Sequence, residues 1–287
     1  MKKYFLLFTL YLMASNTAQA TEEIDDLFVV ERLSDSTNLV SQRYGSAFIN
    51  FGVVEGHNYS VLITSMMSDY ATVIEKMAER LSNGKPIKYV INIDSDPYQH
   101  HANKYFADKG ATIISHANMW QTNAYTHLTF QNEISLDVGT EHITIRHTPA
   151  HTNASAIVRL ENSNVTFMGD AFRNDWLIYA GPNGVDGAIK GLNTAISLSD
   201  ENTKFIPGNR SSRAHSPQSE ITAFRDSYSR FAQKVQALSE QGMGAENIAR
   251  HDDIHKILQN FERYDDFKPY IIDHVKEIAV SSTRPSP

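Results

Sequence analysis

The chain has 287 residues, no cysteine and a formal net charge of −7. The lack of cysteine excludes disulfides, thiolate nucleophiles and thiolate metal ligands. The acidic balance argues against general nucleic-acid binding, which needs a basic face. The length suits one large domain with a substantial core.

The first twenty residues read as a secretory signal peptide. Lys2 and Lys3 make a basic start, Tyr4 to Met13 is an apolar run too short to span a bilayer, and Ala18-Gln19-Ala20 is a small-x-small cleavage site. Cleavage is expected after Ala20. No later run is long and apolar enough for a membrane span, so a soluble periplasmic or secreted protein is expected. The mature chain is expected to be a single domain over residues 21–280 with a helical C-terminal part, followed by a disordered tail at 281–287.

Thr21 to Asp26 is acidic and reads as a frayed start. Between Leu39 and Ile63, punctuated by Gly45, Gly52 and Gly56, the pattern predicts strands at about 44–50, 51–55 and 59–64. Ser68 or Asp69 caps a helix from Tyr70 to Leu81, with Val73, Ile74, Met77 and Leu81 on one face and Asn83-Gly84 as its stop. A strand at 87–93 halts at Asp94-Ser95-Asp96-Pro97, and a short helix runs from about Gln99 to Asp108. Lys109-Gly110 is a turn and Thr112 to Ser115 a strand. Residues 117–126 read as helical or irregular. Short strands follow at 128–130, 134–137, 142–147, 155–160 and 164–168, separated by turn signals such as Asp137-Val138-Gly139. Then come a helix from Val185 to Leu198, a strand from Lys204 to Ile206, a long helix from Ser216 to Gln241, and helices at about 245–261 and 267–279. This order predicts an α/β fold: a four-layer α/β/β/α sandwich of two mixed sheets with helices on both outer faces.

The stretch from Lys88 to Phe106 organises the chain. A β-branched run ends in a knot of polar residues just before a helix, which is where α/β proteins hold side chains rigidly for binding or chemistry.

Four motifs, in order, resemble those of the metallo-β-lactamase-fold hydrolases, over most of residues 40–240. The first is Asn92-Ile93-Asp94-Ser95-Asp96-Pro97-Tyr98-Gln99-His100-His101-Ala102-Asn103, followed by Tyr105-Phe106, against N-T-H-x-H-x-D-H-x-G-G-N. The others are His147-Thr148-Pro149-Ala150-His151-Thr152, Met168-Gly169-Asp170 and Pro207-Gly208-Asn209-Arg210. The resemblance implies the four-layer fold and a site for one or two metal ions, usually zinc, bound by five histidines and two aspartates. Carried over position by position, the first two histidines are Asp94 and Asp96. The next aspartate is Tyr98 and its neighbouring histidine Gln99. His151 and Asp170 are retained, and the last histidine is Asn209. A supporting aspartate becomes Thr64, and acidic residues that often follow the second motif become Asn153 to Ser155.

Hydrolysis at such a site needs a metal-bound water of lowered pKa and a Lewis acid. Asp94, Asp96 and His151, with Asp170 as a fourth donor, could hold one divalent ion. Zinc or manganese is expected if any ion binds, and a carboxylate-rich set shifts the preference towards harder ions such as manganese, magnesium or calcium. Tyr98, Gln99 and Asn209 are poor donors, so no second ion is expected. Three other readings of Asp94 and Asp96 stay open: an acid/base pair, caps for the next helix, or solvated carboxylates at a pocket floor. His151 could equally be a hydrogen-bonded, half-buried histidine. His100 and His101 fall beyond the ligand register and are expected exposed on the first helical turn, and His147 is not a ligand in the resemblance. Tyr98, Trp120, Phe172, Trp176 and Tyr179 fall on loops near the strand ends, where aromatics often line a pocket.

Two functions follow. One is a degenerate member, its dinuclear site dismantled and its pocket used to bind a small molecule or an unidentified protein partner. The other is a metal-dependent hydrolase of an ester, lactone, thioester or amide, with a rebuilt mononuclear site at Asp94, Asp96, His151 and Asp170. The first is favoured because five of the seven ligand positions are replaced while the scaffold motifs stay readable. Four donors converging within coordinating distance would favour the second; donors splayed apart, or Arg210 filling the ion's place, the first.

Overall fold

The computed structural model describes residues 27–45, 47–122, 125–209 and 213–281. The expected signal peptide, the frayed start, Arg210 and the tail from residue 282 lie outside the described residues. Among the described residues, twelve strands form two sheets. The first contains, in spatial and chain order, β1 (Phe28–Arg32), β2 (Thr37–Tyr44), β3 (Ala47–Glu55), β4 (Ser60–Ile63), β5 (Ile87–Ile91), β6 (Thr112–His116) and β7 (Leu128–Phe130). The second contains β8 (Glu133–Asp137), β9 (His142–His147), β10 (Ala156–Leu160), β11 (Val165–Phe167) and β12 (Lys204–Ile206), in that spatial order. Both sheets are mixed: β4, β5, β6 and β7 pair parallel, as do β11 and β12, and the other neighbours are antiparallel.

Successive side chains of a strand point to opposite faces, so a strand buried on both faces reads as a continuous apolar run. In β4, Val61 and Ile63 join the core between the sheets, with Ile143, Ile145, Val158 and Phe167 of the second sheet. Leu62 between them joins the outer core, with Ile74 and Met77 of α1 (Ala71–Leu81) and Phe106 of α3 (Asn103–Asp108). On the far face, Ile157 and Phe205 pack with Leu192 of α4 (Gly184–Ser197) and Tyr228 and Phe231 of α5 (Gln218–Glu240). These three cores make the four layers. Each such side chain, fully buried, stabilises the fold by about 1.5–3 kcal/mol.

The strands expected at 44–50 and 51–55 are one strand. β3 pairs with β2 from Ala47 to Val54 without a break, and the chain turns at Gly45, where φ is +60°. Gly52 does not break the strand: a Cβ there would lie 2.6 Å from the Phe167 ring, so the glycine makes room for the opposite sheet. β1 and most of β2 precede the region read as strand.

The helix expected from Gln99 to Asp108 is two pieces, α2 (Pro97–His100) and α3, because the Ala102 amide donates to the Met66 carbonyl at 2.9 Å. The helix expected at 245–261 also divides, into α6 (Ala245–Ala249) and α7 (Asp252–Leu258), with His251 Nδ1 accepting from the Asp253 amide at the new start. The last expected helix is α8 (Tyr264–Phe267), a 3₁₀ turn at Lys268–Tyr270 and α9 (Ile271–Ser281), which includes the first residue of the expected tail. No helix among the described residues is long and apolar enough to cross a membrane.

Candidate functional site

The site lies where β5, β9, β11 and β12 end. Asp94 follows β5 and is fully buried; its Oδ2 accepts from Ser155 Oγ at 2.7 Å and its Oδ1 from the Asp96 amide at 3.1 Å. Asp96 precedes Pro97 at the start of α2 but makes no side-chain cap. Tyr98 sits on the first turn of that helix. His151, on the loop after β9, has φ +60°. Gly181, at φ +71°, lies over it so closely that a Cβ would be 2.0 Å from the His151 carbonyl oxygen. Asp170 lies in a 3₁₀ turn after β11, and Asn209 follows β12. That last loop is tied to the first sheet: Asn50 donates its amide to the Gly208 carbonyl at 3.0 Å and its Nδ2 to the Pro207 carbonyl at 2.8 Å.

The side chains form one hydrogen-bonded network. Tyr98 offers its hydroxyl proton to Oδ2 of Asp96 at 2.6 Å and to Oδ2 of Asp170 at 2.9 Å. Asn209 Nδ2 donates to the Tyr98 oxygen at 2.8 Å and to Asp170 Oδ2 at 3.2 Å. His151 Nε2 donates to Asp96 Oδ2 at 3.1 Å and lies 3.7 Å from Asp170 Oδ2. One donor atom each from Asp94, Asp96 and His151 falls within 4.8 Å of the others. Three of the four expected donors therefore converge, while the Asp170 carboxylate is engaged by Tyr98 and Asn209.

Burial and charge set the protonation. Burial pushes Asp94 up to about 7, partly opposed by His151 and reinforced by Asp170 and Asp96. Burial also acts to raise Asp96, but the hydrogen bonds from His151 and Tyr98 outweigh it and hold Asp96 at about 2. For His151, burial acts downward, and the Asp96 bond and the surrounding carboxylates bring it to about 9. Burial raises Asp170 against the Arg173 guanidinium and His151. Burial, with the charges of Asp170 and Asp96, pushes the Tyr98 phenol far above its ordinary range, so it keeps its proton. The network thus pairs an imidazolium with the Asp96 carboxylate beside a carboxyl poised near neutrality.

A cavity of about 800 Å³ opens over the network, floored by Asp96, Tyr98, His151 and Asn209. Trp176 and Tyr179 line it as expected. Phe172 does not: it is fully buried, edge-on to Phe224 at 5.3 Å in the helical core. The side chain of Trp120 lies outside the described residues. His100, expected exposed, is buried because its Nε2 donates to the Ser95 carbonyl at 3.0 Å; His101 is exposed. Gln99 is buried but is not part of the network; neither of its side-chain polar atoms has a hydrogen-bond partner among the described residues. Thr64 is buried at φ +65°, its Oγ1 also without a hydrogen-bond partner among the described residues. His147 stacks on His116 with ring centroids 3.9 Å apart, away from the network.

Sequence reasoning missed Ser155 as the donor to Asp94. It also missed Arg173, a buried guanidinium in the cavity wall, whose signal was a single basic residue between Asp170 and Asp175 and beside the aromatic Phe172. Tyr270 and Asp273, which bring the C-terminal helices to the cavity, were legible only once the fold placed them.

No protein-family model and no curated protein matches the chain. Solved structures do. A metallo-beta-lactamase from Pontibacter korlensis is 11% identical, with a TM-score of 0.59, over 69% of this chain and 97% of that one. The DIM-1 metallo-beta-lactamase is 15% identical, with a TM-score of 0.59, over 69% and 95%. A metallo-beta-lactamase from Hirschia baltica is 14% identical, with a TM-score of 0.57, over 69% and 96%.

Proposed function

This chain has the metallo-β-lactamase fold, and we propose that it is a small-molecule-binding protein in which a proton-held network replaces the dinuclear metal centre. The observation that carries this is the Tyr98 hydroxyl, bonded at once to Asp96, Asp170 and Asn209. Those are the positions the resemblance assigns to metal ligands. A phenol that keeps its proton is a poor ligand, and an amide is little better. The residues present therefore do not fit a second ion. The imidazolium of His151 and the proton favoured on Asp94 balance the buried carboxylates instead. The cavity above is within the size range of small-molecule sites.

Convergence of Asp94, Asp96 and His151 favours a second reading, a mononuclear metal-dependent hydrolase. Those three residues would hold a divalent ion, zinc or manganese, and the ion when bound would supply Lewis-acid polarisation of an ester, lactone, thioester or amide carbonyl. Two carboxylate donors weaken that polarisation relative to neutral imidazoles.

The deciding experiment uses the chain from Thr21 onward. Native mass spectrometry after dialysis against zinc and, separately, manganese is expected to show no stoichiometric ion, and a thermal-shift screen in EDTA to find stabilising small molecules. One retained ion per chain, lost together with hydrolysis in Asp96→Ala or His151→Ala, would overturn the binding reading.

A further inference from the structure

We propose that the ligand of this cavity is an organic cation, an ammonium group on an apolar body, held between aromatic rings and the carboxylates of Asp69 and Asp273. This rests on the reading of the cavity as a binding pocket and specifies its ligand class. Besides Tyr98 on the floor, six rings from four parts of the fold line the cavity: Tyr44, Phe48, Tyr70, Trp176, Tyr179 and Tyr270. An aromatic face carries negative charge and attracts a cation within about 6 Å of its centroid. Two of these rings already do so with the chain's own arginines: Arg43 lies 5.3 Å from the Phe48 centroid and Arg263 5.2 Å from that of Trp176.

The charges of the lining select the same sign. On the floor, Asp96 is paired with His151. Arg173 in the wall acts on the buried Asp170 as the strongest of its neighbouring charges. These four charges offset one another. Asp69, in the 3₁₀ turn Ser68–Tyr70, and Asp273, on α9, are exposed at the cavity and make no ion pair among the described residues. They leave the lining net negative and face a ligand entering past the rings. An anion would meet both carboxylates first, and an uncharged ligand would gain neither the attraction of their charges nor a cation–π contact with the rings.

The test is isothermal titration of the chain from Thr21 onward with benzyltrimethylammonium, benzyl alcohol and benzoate, in EDTA. The ammonium is expected to bind at least about tenfold more tightly than the other two. Asp69→Asn with Asp273→Asn is expected to weaken it by about tenfold and to flatten its salt dependence. Both side chains are exposed, and circular dichroism checks that the double variant is folded. Tighter binding of benzoate, no ammonium binding, or full ammonium affinity in the double variant would overturn the assignment. Failure of the underlying reading is separate: a retained catalytic ion contradicts metal-free binding, whereas screen hits in EDTA without ammonium affinity sink the ligand class alone.

Discussion

The phenol oxygen of Tyr98 stands 2.9 Å from Oδ2 of Asp170, joining the start of α2 to the turn after β11 across 72 residues. The contact ties the segment that follows β5 of the first sheet to the one that follows β11 of the second. Because the same hydroxyl meets Asp96 and Asn209, a single proton-bearing oxygen holds together positions contributed by three separate loops. Buried polar networks are costly when partly satisfied and rigid when complete. Here the hub is a neutral phenol, so its insertion adds no charge to a floor already rich in carboxyl groups.

Tyr98→Phe keeps the ring and removes the hub. Asp96 and Asp170 each lose a donor, and the Asn209 amide loses an acceptor. Stability measured by urea unfolding is expected to fall by about 1–3 kcal/mol. The paired change Tyr98→Asp with Asn209→His tests the same point in the other direction, replacing the phenol and amide with good ligands. Zinc retained after dialysis, read by native mass spectrometry, is expected to rise above the parent's. No rise would mean that the Tyr98 hydroxyl is not what keeps an ion out.

Gly181→Ala tests how His151 is held. The new Cβ would fall 2.0 Å from the His151 carbonyl oxygen and 2.9 Å from its Cα, and both are backbone, so the loop itself must move. The residue is also at φ +71°, which a side chain rarely adopts. A cost of about 2–4 kcal/mol is expected from the overlap and backbone strain, with a shift of the His151 imidazole signals in the NMR spectrum. An unchanged His151 environment would show that Gly181 does not position it.

Much of this arrangement was readable from residue order. The polar knot after β5, the His-Thr-Pro turn, the Gly-Asp turn and the Pro-Gly turn fix four loops at one end of two sheets, and apolar periodicity fixes which elements carry them. The network itself was not readable. Tyr98 at a ligand position looked like a loss, because nothing in a one-dimensional pattern says that its hydroxyl reaches Asp96, Asp170 and Asn209 together. His100 was misplaced because its exposure depended on a hydrogen bond to the Ser95 carbonyl, made when the chain turns back on itself. Gly52 looked like a strand break because its reason, the Phe167 ring, lies on the other sheet. Each error concerns a contact between elements distant in sequence or a turn whose shape the tertiary fold decides.

His274 makes stability depend on pH in a window set by one buried ring. It is 1% exposed, stacks on Tyr179 with centroids 4.3 Å apart, and is held down to about 3 by burial and then by the Arg173 charge. An unfolded imidazole titrates near 6.5. Between these values the unfolded chain binds a proton that the folded chain does not, so stability rises with pH and is lost as pH falls from 6.5 towards 3. The contribution is up to about 1.4 kcal/mol per pH unit. Urea midpoints of the parent and His274→Leu at pH 7, 6, 5 and 4 check this. The gap between them should change steadily in the variant's favour as pH falls; a constant gap would mean that His274 charges freely in the fold.

Asp94→Asn separates the proton-held network from a metal site. Asp94 is fully buried and its carboxyl is pushed up to about 7, above the ordinary value of 3.8. Its folded form resists ionisation, so the stability associated with the neutral carboxyl is complete below 3.8 and is lost as pH rises to about 7. Asparagine keeps an acceptor for the Asp96 amide, and its Nδ2 can donate to Ser155 Oγ, without any charge to bury. In EDTA at pH 8, Asp94→Asn is therefore expected to be at least as stable as the parent, with its advantage shrinking at pH 5. Asp94→Ala removes both acceptors and is expected to cost about 1–3 kcal/mol at either pH. A chain that holds an ion through Asp94 would behave in the opposite way. With zinc or manganese present, Asp94→Asn would lose an anionic donor, and its melting temperature would fall below the parent's by the margin the ion contributes. The order of parent and Asp94→Asn, with and without the ion, thus reads directly whether protons or a metal balance this floor.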